Sequence, residues 1–129
     1  DKNITLTWKT DDDVFIAGNE HLLTRLLSNL IGNAYRYGKN NGYIFVELSE
    51  SPEQVVLSVK DNGIGISSED QKNIFQRFYR ADKSRASKGT GIGLAMVNEI
   101  AELHKGTISV NSILGEGSTF LFIISKSPH

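Results

Sequence analysis

The stretch Asp61-Asn62-Gly63-Ile64-Gly65-Ile66 decides how this chain folds. It follows an alternating apolar segment from Val55 to Val59, so the carboxylate of Asp61 is expected just beyond the end of a β-strand. Gly63 and Gly65 are expected to take positive φ and to bring the backbone close to a bound group, where a Cβ would not fit. This pattern predicts a ligand-facing turn with an acidic side chain at its start.

A second glycine-rich stretch, Lys88-Gly89-Thr90-Gly91-Ile92-Gly93-Leu94, opens directly into a helical pattern of apolar residues. Its amides are therefore expected at a helix amino terminus, where unpaired N–H groups and the helix dipole bind anions. The stretch is not a P-loop, because no Gly-Lys-Ser/Thr ends it, and no strand precedes it as in a dinucleotide-binding turn. Together the two glycine turns predict a nucleotide pocket of another kind.

The composition is that of one globular domain. The chain has 129 residues, of which 39% are hydrophobic and 22% charged, enough for one core but not for two. Its net charge of −1 gives no field that would attract nucleic acid or an anionic membrane. It contains no cysteine, which excludes disulfides and thiolate metal sites, and no apolar run reaches the ~18 residues of a membrane span. We expect a single domain over residues 1–129, excised from a longer protein.

A helix is predicted from Glu20 to Tyr37, with Asn19 as its N-cap. Asn29 and Asn33 lie one turn apart at the edge of its apolar face. Burying an unpaired amide costs about 1–3 kcal/mol, so both side chains need partners. Either they bond backbone or water at a helix–sheet seam, or they face a ligand, with the oxygen of Asn33 on a hard cation such as Mg²⁺. The apolar face itself consists of Leu22, Leu23, Leu26, Leu27, Leu30 and Ala34.

The remaining patterns predict an α+β fold. Alternating segments predict strands at 4–8, 14–17, 43–49, 54–60, 108–111 and 120–124, and helical signals begin at 67 and cover 92–104. Residues 81–89 contain no large apolar side chain, so this stretch is either a mobile lid over the pocket or an ordinary exposed loop. We expect a two-layer sandwich in which one layer of helices packs on a mixed, mostly antiparallel sheet.

Four sequence boxes and a final glycine turn, spread over nearly the whole chain, resemble the motifs of the catalytic and ATP-binding domain of sensor histidine kinases. That domain belongs to the Bergerat or GHKL group, which also contains type II topoisomerases and mismatch-repair ATPases. The resemblance implies the two-layer fold of this group with a mobile ATP lid. The matching motifs are the N box (29–37), the first glycine box (61–66), the F box (74–80), the second glycine box (89–95) and the last glycine turn (115–120).

The resemblance implies a site for ATP and Mg²⁺. Asp61 would accept a hydrogen bond from the adenine amino group, and Asn33, supported by Asn29, would bind the Mg²⁺ that bridges the phosphates. The remaining implied contacts to the nucleotide are Arg36 and Arg80 to phosphates, Tyr37 near the base, and Gly63, Ile64, Gly65, Ile66, Phe78, Gly89, Thr90, Gly91, Ile92, Gly93, Leu94, Ser118 and Thr119.

One position separates two chemistries. In the hydrolytic relatives, a Glu one turn before the metal-binding Asn activates water. Here Asn29 holds that place and cannot act as a general base, so the sequence favours transfer of the γ-phosphoryl group over hydrolysis of ATP. The implied catalytic residues are Asn29, Asn33 and Arg80.

The resemblance also implies partners outside this chain. His21, His104 and His129 lack the sequence context of the family's phospho-acceptor, so the acceptor histidine is expected on a separate dimerisation and phospho-acceptor domain of the same protein. His104 is expected to be a structural residue at a helix end. A response regulator receiver domain would act downstream. The full-length protein is expected to be a homodimer anchored in the bacterial inner membrane, with this domain in the cytoplasm and no nucleic acid bound.

Two alternatives belong to other classes. The first is a free-standing ATPase or protein serine kinase of the same superfamily, which Asn29 and the well-formed F box disfavour. The second is a degenerate interaction module without nucleotide, which the intact Asn33, Asp61 and both glycine boxes disfavour. The chain departs from the family at Lys105, where a Gly is usual, so the local turn geometry there is open.

Overall fold

The computed structural model describes residues 3–11, 18–76 and 93–125. The predicted strand at 14–17, the predicted lid at 81–89 and the F box beyond residue 76 lie outside these ranges. No helix in the described ranges is long and apolar enough to cross a membrane. The elements are β1 (Thr5–Thr10), α1 (Glu20–Arg36), β2 (Tyr43–Glu50), β3 (Gln54–Asp61), α2 (Ser68–Gln71), α3 (Gly93–Leu103), β4 (Gly106–Ile113) and β5 (Gly117–Ser125).

The five described strands form one sheet in the order β1-β2-β3-β5-β4. β1 runs parallel to β2, whereas the other three neighbouring pairs are antiparallel. Inward-facing side chains alternate along β2, β3 and β5 and pack against α1 and α3, because a strand directs successive side chains to opposite faces. The predicted α+β fold with a mixed, mostly antiparallel sheet is confirmed.

Helix α1 begins and packs as its sequence predicts. The side chain of Asn19 accepts a hydrogen bond from the Leu22 amide at 3.0 Å and caps the helix, and Glu20 lies in the first turn. Leu26, Leu30 and Ala34 are fully buried, and the remaining leucines of the apolar face pack around them. The opposite face is exposed at Thr24, Arg25, Ser28, Gly32 and Tyr35.

Several element boundaries differ from the predictions, and three of these differences lie near the candidate site or the end of α3. Asp61 is the last residue of β3 and not the residue after it, because its backbone still pairs with both neighbouring strands. The helix that starts after Ser67 lasts a single turn and ends at Gln71. Helix α3 ends at Leu103, and Lys105 then takes a left-handed conformation with φ of 59° before β4. The turn geometry at this non-glycine residue is therefore that of a glycine.

Candidate functional site

The carboxyl end of α1 meets the first glycine box through backbone contacts. The carbonyl of Tyr37, the C-cap of α1, accepts a hydrogen bond from the Ile64 amide at 3.0 Å. A Cβ on Gly63 would lie against that same carbonyl oxygen. Gly63 does not have positive φ, so the expectation of positive φ was wrong at this position. The glycine is needed here because two backbone segments approach each other, which brings Tyr37 beside the loop that follows Asp61.

The β4–β5 turn closes onto the same loop. Gly65 has φ of 77°, as predicted, and a Cβ there would lie against the carbonyl oxygen of Ile113. The Gly115 amide donates to the Ile64 carbonyl at 2.7 Å, and Gly117, with φ of 135°, leaves no room for a Cβ beside the Asp61 carbonyl. These glycines therefore let the loop after Asp61 and the β4–β5 turn pack directly against each other. We call these two packed segments the floor of the site.

Asp61 supplies an acidic group at this floor. Only 5% of the residue is exposed, and its Oδ1 accepts a hydrogen bond from the Gly63 amide at 2.8 Å. Burial raises the pKa of the Asp61 carboxyl above its ordinary value, and hydrogen bonds from the backbone of Gly63 and Ser118 oppose that shift. A buried carboxylate with so little water around it is a strong acceptor for an amino group of a ligand.

A polar network that the sequence analysis missed supports the floor. The Ser112 hydroxyl donates to the Gly117 carbonyl at 2.8 Å and accepts from the Ile66 amide at 2.7 Å. Because its one hydrogen is used, Ser118, 2.8 Å away, must be the donor in their mutual hydrogen bond. The Gln71 side chain adds bonds to the carbonyls of Ile66 (2.8 Å) and Ser112 (3.0 Å). The available signal was a serine at an inward-facing position of β4.

The two hydroxyls predicted at the last glycine turn lie on opposite faces of the sheet. Ser118 pairs with Asp61 in the β3–β5 register, is 7% exposed and shares its face. Thr119 pairs with Lys60, and strand alternation directs its side chain away from the helices. The register therefore directs the Thr119 side chain away from Asp61, and a contact between this residue and a nucleotide stays a prediction.

The side-chain amides of Asn29 and Asn33 on α1 border the other side of the site. The Nδ2 atom of Asn29 lies 3.8 Å from the Met96 sulfur on α3, a weak hydrogen bond. The half-buried side chain of Asn33 makes no hydrogen bond with any residue that the structure describes. An amide oxygen in that state suits a hard cation. Beyond it, the Arg36 guanidinium carbon lies 5.7 Å from the ring centre of Tyr37, within range of a cation–π interaction.

The other predicted site residues divide into three groups. Ile64 is 51% exposed at the rim, whereas the Ile66 side chain is buried in the core and contributes its backbone to the floor. Gly93 is the first residue of α3, and Leu94 packs half-buried against the core. The predicted residues outside the described ranges are Phe78, Arg80, Gly89, Thr90, Gly91 and Ile92.

Comparisons with known proteins identify the family. Residues 18–128 match the family model of histidine kinase-, DNA gyrase B- and HSP90-like ATPases. The sensor histidine kinase RppB of Synechocystis is 44% identical over 110 residues, which cover 84% of this chain and 24% of the relative. The chain thus spans about a quarter of that relative's length, and it spans 19% of the sensor histidine kinase WalK of Bacillus subtilis.

Solved structures of histidine kinases share the fold. The catalytic domain of histidine kinase ThkA, in a nucleotide-free form, superposes with a TM-score of 0.83 at 29% identity, covering 98% of this chain and 83% of that one. ThkA in complex with the response regulator TrrA gives a TM-score of 0.77 at 26% identity, covering 98% and 35%. Full-length ShkA in complex with AMPPNP gives 0.83 at 29% identity, covering 95% and 26%.

The resemblance drawn from the sequence motifs is confirmed by these matches, as is the GHKL type of the fold. The match to the family model extends over most of the chain, from α1 to the end of β5. This chain belongs to the histidine kinase-, DNA gyrase B- and HSP90-like ATPase family.

Proposed function

We propose that this domain binds ATP with Mg²⁺ and donates the γ-phosphoryl group to a histidine on a separate phospho-acceptor domain of the same protein. The observation that carries the proposal is the buried Asp61 carboxylate, held by backbone amides at the floor of a fold that histidine kinase catalytic domains share. The AMPPNP bound to ShkA supports an adenine nucleotide as the ligand of this fold.

Asp61 selects adenine at the floor of the site. One lone pair of the carboxylate is engaged by the Gly63 amide, which fixes its plane, and another accepts the 6-amino hydrogen of adenine. Guanine carries a carbonyl at that place, so its oxygen would face the carboxylate with no hydrogen between them. The backbone of the first glycine box and the ring of Tyr37 border the base.

The phosphates lie between α1 and the start of α3. Asn33 offers its amide oxygen to Mg²⁺, Asn29 holds the neighbouring position, and Arg36 contributes positive charge. A Mg²⁺ ion held there would supply positive charge to the phosphate oxygens. The amino end of α3 at Gly93 supplies N–H groups to the phosphates. Outside the described ranges, the proposal gives phosphate contacts to Arg80 and the loop Gly89–Ile92, and a packing contact to Phe78.

Transfer to histidine is favoured because no acidic side chain stands where the hydrolytic relatives activate water. The amide of Asn29 cannot accept a proton from water. An imidazole nitrogen instead forms the new bond to the γ-phosphorus while the bond to the bridging oxygen breaks and ADP leaves. The ring then releases the proton on its other nitrogen to solvent, so this domain contributes positioning and charge neutralisation.

The rest of the protein is proposed by the same reasoning. Its relatives are three to five times longer than the matched segment, which leaves room for a dimerisation and phospho-acceptor domain. The complex of ThkA with TrrA supports a response regulator as the next partner. We extend the proposal to a homodimer whose sensing part is anchored in the bacterial inner membrane, with this domain on the cytoplasmic side.

Calorimetric titration with a non-hydrolysable ATP analogue tests the binding step. We expect saturable binding that Mg²⁺ strengthens, and at least tenfold weaker binding of the matching GTP analogue, since one hydrogen bond to a charged group contributes about 1.5–3 kcal/mol. A folded domain that binds neither analogue would overturn the proposal and support the degenerate interaction module.

The transfer step is tested with the full-length protein and γ-labelled ATP. Phosphohistidine is labile in acid and stable in alkali, so the label on the protein should disappear in acid only. Release of inorganic phosphate should be slow in comparison. Rapid release of phosphate without labelled protein would instead support a free-standing ATPase.

A further inference from the structure

His104 joins the end of α3 to the start of α1. Its Nδ1 lies 2.8 Å from the Ile100 carbonyl oxygen, one turn back on its own helix, and its Nε2 lies 3.0 Å from the Asn19 amide. Asn19 is the N-cap of α1, and its side chain is already bonded to the Leu22 amide. The imidazole is therefore the link between two helix termini that are 85 residues apart in the chain.

Only one form of the ring satisfies both bonds. The Asn19 amide is a donor, so Nε2 must present its lone pair, and the hydrogen of the neutral ring must then be on Nδ1, from which it is donated to Ile100. The space around the ring is also fixed. A Cβ on Gly18 would lie 2.6 Å from Nε2, so glycine at 18 makes room for the imidazole.

Helices α1 and α3 are antiparallel, and the polar contacts of two described residue pairs join them at different levels. One is the bond between His104 and Asn19, and the other is the contact between Asn29 and Met96. At 1.5 Å per residue, the two contacts are roughly 12–15 Å apart along the helices. Between these two contacts the helices meet through apolar side chains. Because apolar contact is non-directional, it determines the distance between the helices more strongly than their axial register. The directional bond of His104 fixes that register.

We propose that His104 is a positioning residue that sets the axial register of α3 against α1 and thereby places the amino end of α3 opposite Asn33. A helix is stiff along its axis, so displacement at its carboxyl end is carried to Gly93 at its amino end. This inference rests on the proposed function, because that end of α3 is where phosphate oxygens would bind. His104 touches no nucleotide and acts through the helix.

Two substitutions separate the two bonds of the ring. In His104→Asn the amide nitrogen can replace Nδ1 and keep the bond to Ile100, but the side chain is too short to reach Asn19. In His104→Gln the longer amide can place its oxygen where Nε2 was and keep the bond to Asn19. We expect His104→Asn to weaken binding of the Mg²⁺–ATP analogue about tenfold and His104→Gln to stay within about twofold of the native protein.

Adenosine is the control ligand, because its affinity should not depend on the axial register of α3 against α1. It occupies the Asp61 end alone, so its affinity in a chemical-shift titration should be the same in all three proteins. Equal losses for adenosine and the ATP analogue, in proportion to a lower melting temperature, would show that His104 only stabilises the fold. Native affinity for the ATP analogue in His104→Asn would overturn the inference as well.

Gly18→Ala disturbs the same contact from the residue that precedes the N-cap of α1. The new Cβ pushes on the ring, so this variant should lose affinity for the ATP analogue as His104→Asn does. Combined with His104→Ala, which removes the ring, it should cost nothing further, whereas additive losses would contradict a shared contact. All titrations are run well below each variant's melting temperature.

Amide hydrogen exchange without any ligand keeps the inference separate from the proposed function. In His104→Asn we expect faster exchange of the amides from Val97 to Ile100, the first in α3 that bond within the helix, because the amino end of α3 loses its fixed place on α1. His104→Gln should match the native protein. If the native domain failed to bind ATP, the proposed function would fall while this pattern could still stand; unchanged exchange in His104→Asn would overturn the register role alone.

Discussion

The two ends of the site are built on different principles. At the Asp61 end, the polar groups are bonded within the protein: the carboxylate to the Gly63 amide, the Ser118 hydroxyl to Ser112, and the glycine loops to neighbouring backbone. At the other end, the half-buried amide of Asn33 makes no hydrogen bond with the described residues.

This difference predicts that the Asp61 end contributes to the free energy of folding as well as to nucleotide binding, whereas Asn33 contributes to binding alone. The backbone contacts around Asp61 are part of the folded state, so breaking them lowers stability as well as binding. The Asn33 amide contributes little to the fold, so a change there should alter binding alone. Substitutions at the two ends can therefore test whether this division holds.

Gly117→Ala should have the largest effect. The residue has φ of 135°, and the new Cβ would meet the Asp61 carbonyl oxygen and lie 2.8 Å from the Cα of Asn62. Backbone strain and overpacking together should lower the free energy of unfolding by about 3–5 kcal/mol, measured by urea denaturation. Gly115→Ala is the control: φ is 88° but nothing lies within 4 Å, so only about 1 kcal/mol should be lost. Similar losses in both variants would refute the close-packed floor.

Asp61→Asn should reduce binding and change how stability depends on pH. Loss of the charged acceptor should weaken the ATP analogue about 10- to 100-fold. Because the pKa of Asp61 is raised, the folded protein holds this proton more tightly than the unfolded chain. The native protein therefore loses stability as pH rises from the ordinary value of 3.8 through the raised pKa.

The variant lacks this dependence. Its free energy of unfolding relative to the native protein should increase over that pH range and then level off at higher pH. Urea denaturation at a series of pH values gives the comparison. Parallel profiles for the two proteins would mean that the carboxyl is not destabilised by burial.

Asn33→Ala should affect binding without affecting the fold. The Mg²⁺-dependent gain in affinity should disappear, a loss of about tenfold in the presence of Mg²⁺, while the melting temperature stays close to the native value. Ser28→Ala, on the exposed face of the same helix, is the matched control. Calorimetry with and without Mg²⁺ gives the answer, and a native response to Mg²⁺ in Asn33→Ala would remove this residue from the metal site.

Lys105→Gly should have the smallest effect and lies away from both ends of the site. Lys105 has φ of 59°, a conformation that costs a side chain about 1 kcal/mol but costs glycine nothing. We expect a gain of about 0.5–1 kcal/mol in thermal or urea unfolding and unchanged nucleotide affinity. Asn41→Gly, at φ of 61°, should gain less because asparagine tolerates this region. A destabilised Lys105→Gly would show that the lysine side chain contributes contacts of its own.

Much of the fold could be predicted from the sequence because its signals are local. The N-cap at Asn19, the apolar face of α1 and the two hairpins each depend on residues a few positions apart. The motif order was specific enough to identify the family, and it placed Asp61 within one residue of its observed position on β3. The parallel pairing of β1 with β2 was not predicted, since it joins strands more than thirty residues apart.

The sequence by itself determined the residue types of the site: an acidic side chain at a strand end, two amides on one helix and glycines in the turns. Only the tertiary structure decided where these residues lie and which groups they contact. The β3–β5 register placed Ser118 toward Asp61 and Thr119 away from it, although the two hydroxyls are adjacent in sequence. Close packing of two backbone segments requires a glycine at position 63. Hydrogen bonds between distant segments gave structural roles to Ser112, Gln71 and His104. The physical reason is that strand register and hydrogen bonds between distant segments are set by packing of the whole domain, which no local pattern contains.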